Sequence, residues 1–216
     1  EIRLSLVGSE MCIRDRYCHS RDLVYLKENM YPIVTEKINE YLESHRKDLD
    51  GIYISGGEPL MHEGVVSFLQ YAKTLNYKIK IHTNGMFYER LKTILAQKLV
   101  DHVSLDIKNA PSAYAKTCGV EDMDLKDIEK SLDLLKQSVV PYDICVTLVD
   151  ELHNQATIEE LGEWIQGVDT VILQPFEDRE TTIDHSLHRP SFKVVLKYKK
   201  IFEKYVKHVK IRGDQA

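Results

Sequence analysis

Cysteine is scarce in this chain. The four present, at 12, 18, 118 and 145, are too few and too scattered for a disulfide framework in a domain this size, so a reducing cytoplasm is the expected setting. No apolar run approaches the roughly 20 residues of a membrane helix. The N-terminus lacks the basic start, apolar stretch and small-residue cleavage site of a signal peptide. Neither sign of charge dominates: 34 acidic against 29 basic residues give a net charge of −5, which makes no electrostatic case for a nucleic-acid or membrane surface. Repeats and low-complexity tracts are missing. What remains is 216 residues with 43% hydrophobic content, enough for one generous domain or two small ones with a substantial core.

Short runs rich in Ile and Val alternate with amphipathic stretches. GIYISGG (51–57), YKIKIHTNG (77–85), VDHVSLDIK (100–108), YDICVTLV (142–149), DTVILQPF (169–176) and VKIRG (209–213) read as strands. Helical 3–4 spacing marks 62–75, 89–99, 124–138, 157–167 and 191–206. The first of these strands ends in a glycine turn, the stretch between Lys108 and the 124–138 helix reads as a loop, and Gly167 is the expected C′ glycine of its helix. Strands of about five residues alternating with helices of ten or more imply βαβ units on a parallel sheet. That pattern permits a complete or partial barrel or an open doubly wound sheet, and in each the chemistry belongs at the C-terminal ends of the strands.

The strand ends carry the informative residues. Gly56, Gly57, Glu58 and Pro59 follow the 51–57 strand: paired glycines let a ligand approach the backbone, and the carboxylate can accept from an ammonium group. Thr83 and Asn84 precede Gly85 and suit ribose hydroxyls. Asp106 and Lys108 lie two apart and so share a face, an arrangement that can grip hydroxyls and an anion. Gln174 closes the 169–176 strand. Each signal also has an ordinary reading, as a glycine turn, an Asn-Gly turn, a surface ion pair or a loop cap. Together they describe a nucleoside with an amino-acid tail, and S-adenosylmethionine has the amine, ribose and carboxylate required.

YCHSRDLV, YISGGEPL, IHTNG, SLDIK, LVDELHN, LQPF and IRG, from Tyr17 to about Gly213, resemble the successive motifs of the radical S-adenosylmethionine superfamily. The closest resemblance is to the activating proteins of anaerobic ribonucleoside-triphosphate reductases and related glycyl-radical enzymes. The resemblance implies an α/β fold, a partial (β/α)6 TIM-like barrel. It implies a [4Fe–4S] cluster held by the three thiolates of a C-x-x-x-C-x-x-C loop, with S-adenosylmethionine chelated at the open iron. One electron then releases a 5′-deoxyadenosyl radical, which takes a hydrogen atom from a glycine of the partner enzyme. By the same resemblance Gly56, Gly57, Glu58 and Pro59 hold the cofactor amine. Thr83 and Asn84 lie near the ribose, Asp106 and Lys108 grip the ribose and carboxylate side, and Tyr17 and Gln174 adjoin the cofactor. No general acid or base is implied, because the radical performs the abstraction while the protein binds, orients and excludes water. The expected partners are anaerobic ribonucleotide reductase and a flavodoxin- or ferredoxin-type electron donor. Activation of pyruvate formate-lyase or another glycyl-radical enzyme, or a small-molecule reaction, keeps the chemistry and changes the substrate. A non-catalytic nucleoside-binding barrel is the alternative of a different kind.

The chain departs from the pattern in its first residues. Cys18 matches the third loop cysteine and is the expected metal ligand, but the second and first positions fall at Asp15 and Met11, and Cys12 is out of register by one. LVGSEMCIRDR (6–16) can be encoded by CTC GTG GGC TCG GAG ATG TGT ATA AGA GAC AGR (R is A or G), which up to its last base resembles a transposase adaptor of sequencing libraries. The expectation is therefore that residues 1–16 are non-native, that residues 17–216 are the radical S-adenosylmethionine domain, and that the first barrel strand is missing or replaced. As written, the chain is expected to show no turnover. An arginine the family commonly carries near Cys145 is absent, and His82 stands where an acidic residue is frequent. Cys145 itself reads as a small core residue, His19 as a loop residue and His153 as structural.

Overall fold

Alternation hidden inside the apolar runs decides the architecture. KIKIHT (78–83) puts Ile79 and Ile81 on one side of a strand and Lys80 and His82 on the other, because successive strand side chains point to opposite faces. The computed structural model describes residues 15–18 and 35–213. Its strands are β1 (Gly51–Ile54), β2 (Lys78–Thr83), β3 (His102–Asp106), β4 (Tyr142–Leu148), β5 (Thr170–Pro175) and β6 (His208–Ile211). They form one sheet in sequential order, and every neighbouring pair is parallel. The helices are α1 (Thr35–Ser44), α2 (Val65–Thr74), α3 (Tyr88–Ala96), α4 (Pro111–Thr117), α5 (Lys126–Lys136), α6 (Gln155–Trp164) and α7 (Phe192–Phe202).

The apolar face of the sheet packs on the helices. Ile54, Ile79, Ile81, Val103, Leu105, Ile144, Val146, Val171 and Leu173 join helix residues such as Leu69, Leu91, Ile94, Leu132, Leu161 and Phe202 in one cluster of buried side chains. Burial of each such Leu or Ile contributes about 2 kcal/mol. The other face is polar. The register sets Tyr53 beside Lys80, Lys80 beside His102, Ser104 beside Asp143, Asp106 beside Cys145 and Thr147 beside Gln174. A complete barrel of this kind fills its interior with branched apolar layers, whereas this concave face stays wet and open. Residues that follow β1 and β6, the first and last strands of the order, line one cleft. A flat sheet could not bring them together, so the sheet curls into an open partial barrel.

Near the N-terminal ends of the strands, Asp143 ties three of them together. Its Oδ2 lies 3.1 Å from Lys80 Nζ and 2.6 Å from His102 Nε2, and its Oδ1 accepts from Ser104 Oγ at 2.6 Å and Cys145 Sγ at 3.4 Å. Burial pushes this carboxyl up, but the Ser104, His102 and Lys80 hydrogen bonds outweigh it and hold the group below the usual range.

Each strand and helix expected from periodicity is present, with ends shifted by up to a few residues. Three expectations need correction. The stretch after Lys108 contains helix α4, started by Pro111 at its first turn, where a fixed φ is pre-organised and no N–H is needed. Gly167 has φ +87° but lies two residues beyond the C-cap Ile165, so it turns the chain rather than ending the helix. Cys145 is buried, but on the cleft side of β4 against Asp143 and not in the apolar core. The expected replacement of the first barrel strand concerns residues outside the described ones, as do Cys12 and His19.

Candidate functional site

The strand ends converge on a cleft of about 290 Å³. Tyr17, Cys18, Gly56, Gly57, Glu58, Thr83, Asn84, Asp106, Lys108 and Gln174 all line it. Pro59 does not: it sits buried behind the wall and opens the short 3-10 turn Pro59–Met61, for which Glu58 is the N-cap.

Gly56 and Gly57 have φ of +91° and +53°, a region L side chains rarely adopt. The turn they make delivers Glu58 to the cleft. The residue is 1% exposed, and its carboxylate accepts three hydrogen bonds: Oε1 from Leu60 N at 3.0 Å and Thr83 Oγ1 at 2.7 Å, and Oε2 from Asn84 N at 2.7 Å. Burial nevertheless pushes its pKa up to about 7, against the pull of those bonds and of Lys108. A buried carboxylate fixed this firmly, with no ion pair among the described residues, can accept an incoming cation. Thr83 orients Glu58 through its hydroxyl proton, and Asn84 closes the turn by accepting from Met86 N at 3.0 Å.

Lys108 anchors the opposite wall. It bonds Asp106, the residue two positions earlier on the same face, and its Nζ lies 2.6 Å from Asp15 Oδ2. Its ammonium also stands 5.7 Å from the centre of the Tyr17 ring. Burial would lower the lysine pKa, but Asp106 and Asp15 hold it well above the usual value. Burial would raise Asp106, and Lys108 and His82 keep it below. His153 supports Lys108 from behind: Val149 N donates to Nδ1 at 3.1 Å, leaving Nε2–H to donate to the Lys108 carbonyl at 3.0 Å, the structural part expected of it. Tyr17 packs edge-on against Phe176 at 6.5 Å, within a small apolar cluster that includes Val149, Leu152 and Leu187.

Sequence reasoning missed Arg212, Ser55 and Thr147, which also line the cleft. Arg212 Nη1 donates to Gln174 Oε1 at 2.6 Å. The register that sets Ile172 beside Lys210 also puts Gln174 and Arg212 on one face, so the signal lay in the period-2 spacing of the last strand. His82 and Cys145 line the cleft too. The His82 Nδ1 lies 2.9 Å from the Tyr53 hydroxyl, and burial lowers its pKa. Among the described residues no group of three His, Cys, Asp or Glu side chains could hold a metal ion.

The model of the radical SAM superfamily matches residues 14–165. A protein of Methanocaldococcus jannaschii provisionally named a glycyl-radical enzyme activating enzyme is 29% identical over 202 residues, covering 91% of this chain and 82% of its own. A GTP 3′,8-cyclase of Alkaliphilus oremlandii is 23% identical over 76% of this chain and 51% of its own. Among solved structures, Streptococcus suis SuiB bound to S-adenosylmethionine superposes with a TM-score of 0.73 at 13% identity, over 97% of this chain and 50% of that one. A domain of pyruvate-formate lyase-activating enzyme from Bacteroides vulgatus superposes with a TM-score of 0.59 at 19% identity, over 76% of this chain and 99% of that one. The chain thus spans about half the length of the cyclase and of SuiB.

Proposed function

Because the chain belongs to the radical S-adenosylmethionine superfamily, we propose that its cleft binds S-adenosylmethionine and that its native form is an activating enzyme for a glycyl-radical partner. The superfamily works with a [4Fe–4S] cluster and S-adenosylmethionine. The observation that carries the reading is Glu58, a buried carboxylate with its hydrogen bonds in place and a cation still to receive. The amine of the cofactor tail is that cation. The carboxylate of the tail turns toward Lys108, and the ribose meets the Asn84 and Asp106 side of the cleft. Similarity to the Methanocaldococcus protein over most of both chains supports the activating role. The partner proposed is anaerobic ribonucleotide reductase, in the cytoplasm, with a flavodoxin or ferredoxin as electron donor. No helix among the described residues is long and apolar enough to cross a membrane.

The cluster is a different matter. Of the loop positions within the described residues, Cys18 supplies a thiol and Asp15 supplies a carboxylate already bonded to Lys108. These residues do not fit a cluster that needs three thiolates, so no reaction step is assigned to the chain as written. We attribute the mismatch to residues 1–16 being foreign to a domain that runs from 17 to 216. The native gene, read upstream of the Tyr17 codon, is expected to encode cysteines at the positions of Met11 and Asp15.

The test is a protein carrying Met11→Cys and Asp15→Cys, reconstituted anaerobically with iron and sulfide. With a reductant and S-adenosylmethionine it should release 5′-deoxyadenosine. With anaerobic ribonucleotide reductase it should produce a glycyl-radical signal in electron paramagnetic resonance. Deoxyadenosine without that signal, and with it on pyruvate formate-lyase, would move the partner; neither product would leave the non-catalytic barrel.

A further inference from the structure

The two halves of the sheet bring different chemistry to the cleft. Glu58, Asn84, Asp106 and Lys108, the groups proposed to hold the nucleoside, stand at the ends of β1, β2 and β3. Thr147, Gln174 and Arg212 stand at the ends of β4, β5 and β6 and carry none of its amine, ribose and carboxylate contacts. The register sets Thr147 beside Gln174. Arg212 N donates to the Leu173 carbonyl at 2.8 Å, which fixes the arginine next to Gln174. Lys108 and Arg212 are three strands apart, about 14 Å along the curled sheet. The amine and carboxylate of an amino-acid tail leave a single carbon, so a tail held at Glu58 and Lys108 leaves Arg212 to something else.

Charge in the cleft is unevenly matched. Its described lining holds the carboxyl groups of Asp15, Glu58 and Asp106, the cations Lys108 and Arg212, and His82, whose pKa burial lowers. Lys108 bonds both Asp106 and Asp15, and burial raises the Asp15 carboxyl against that pull. Asp106 leans chiefly on Lys108 and less on Arg212. Asp143, nearby on the same face, is engaged by Lys80 and His102. Arg212 makes no ion pair among the described residues. Its side-chain hydrogen bond there, from Nη1 to Gln174 Oε1 at 2.6 Å, goes to a neutral group. A guanidinium accepts nothing, so the Gln174 oxygen faces it and the amide NH2 points away. The two side chains therefore present N–H donors around an unmatched positive charge. Asp15 pairs with Lys108 and not with Arg212, so this donor fork is built from residues of the 17–216 domain alone.

We propose that Gln174 and Arg212 form a subsite for a second reactant beside the nucleoside, and that this reactant is recognised by a carboxylate. A carboxylate meets the fork with both oxygens and matches its charge, whereas a neutral carbonyl meets only the donors. The group belongs either to a small acid or to an acidic side chain of a partner polypeptide. The subsite rests on the reading of Glu58 and Lys108 as the nucleoside's anchors, and it defines what the cleft takes next to them.

Succinate and the peptides acetyl-Glu-Gly-amide and acetyl-Gln-Gly-amide test this by NMR titration of the full chain, with and without saturating S-adenosylmethionine. The Arg212 guanidinium resonances should move with succinate and with the Glu peptide. The Glu peptide should bind about fivefold more tightly than its Gln counterpart, a modest ratio because Arg212 is exposed. Arg212→Gln should abolish that preference. Gln174→Glu, which sets a carboxylate on the fork from within, should abolish it too and stands in if the first variant loses its cooperative melting transition. Whichever carboxylate binds more tightly, small acid or peptide, identifies the source. Equal binding of the two peptides to the wild type, or an unchanged preference in both variants, overturns the proposal. Competition would overturn it as well: if S-adenosylmethionine expels the acids while its decarboxylated form does not, the fork serves the tail carboxylate. Failure of S-adenosylmethionine to bind the wild-type chain would sink the nucleoside reading instead, and the Arg212 shifts with the acids alone would still report on the fork.

Discussion

Glu58 stores a cost that a ligand can relieve. Its pKa rises from 4.5 in the unfolded chain to about 7 in the folded one. Between those values the folded state binds more protons, so stability falls as pH rises through the window, by about 3 kcal/mol in all. Melting profiles from pH 4.5 to 8 should show this decline in the wild type and a flatter line in Glu58→Gln. Affinity for an ammonium-bearing nucleoside should run the other way, strengthening as pH passes about 7, and Glu58→Gln should weaken it about tenfold or more. Thr83→Val removes a hydroxyl that donates to the ionised carboxylate at 2.7 Å. The midpoint of both effects should then move above 7, a shift visible in the same titrations. These residues were legible because each strand ends in short polar or glycine-rich sequence, where an apolar run stops and side chains face the cleft. Arg212 was not, because a single arginine after a four-residue strand looks like any solvated terminus until the sheet curls and carries it to the other side of the same cleft.

At the scale of elements, the concave face is held by polar links that periodicity did not announce. Asp143→Ala would leave Lys80, His102 and Ser104 without the carboxylate they share, at a cost of about 2–4 kcal/mol in urea unfolding. A change below about 0.5 kcal/mol would show the network to be ornamental. Helix α6 begins with a capping box, in which Asn154 Oδ1 accepts from Thr157 N at 3.1 Å and Asn154 N donates to Thr157 Oγ1 at 3.1 Å. Asn154→Ala should cost about 1 kcal/mol by the same measurement. The strands, and the helices of nine residues or more from α2 onward, were readable from sequence because each must bury one face; α1, which buries only Leu42, was not marked. Helix α4 escaped notice because seven residues make barely two turns, too few for a 3–4 pattern to stand out. The alternation in KIKIHT (78–83) was readable as a strand, but not as one wall of a polar hollow, since sequence does not say which side the helices will cover.

For the whole molecule, the parallel order β1 to β6 and the helices on the apolar side followed from the βαβ rhythm, while the choice of an open partial barrel over a flat sheet needed the three-dimensional convergence of β1 and β6 ends. A ligand that binds only the folded form should stabilise the entire domain. At a hundredfold excess over its dissociation constant the gain is about 2.7 kcal/mol, or roughly 5–10 °C in melting temperature for a chain this long. A nucleoside that saturates by calorimetry yet leaves the transition in place would have to bind the unfolded chain equally well.

The division of the sheet into an apolar side and a polar side has an evolutionary consequence. The residues that keep the domain folded and those that line the cleft are separated by the thickness of one strand, and neighbours in sequence face opposite ways: Leu105 against Asp106, Ile107 against Lys108, Leu173 against Gln174. A mutation that redesigns the hollow therefore need not disturb the packed layer behind it. Lineages can exchange substrates by rewriting alternate letters of six short strands and keep the rest of the text.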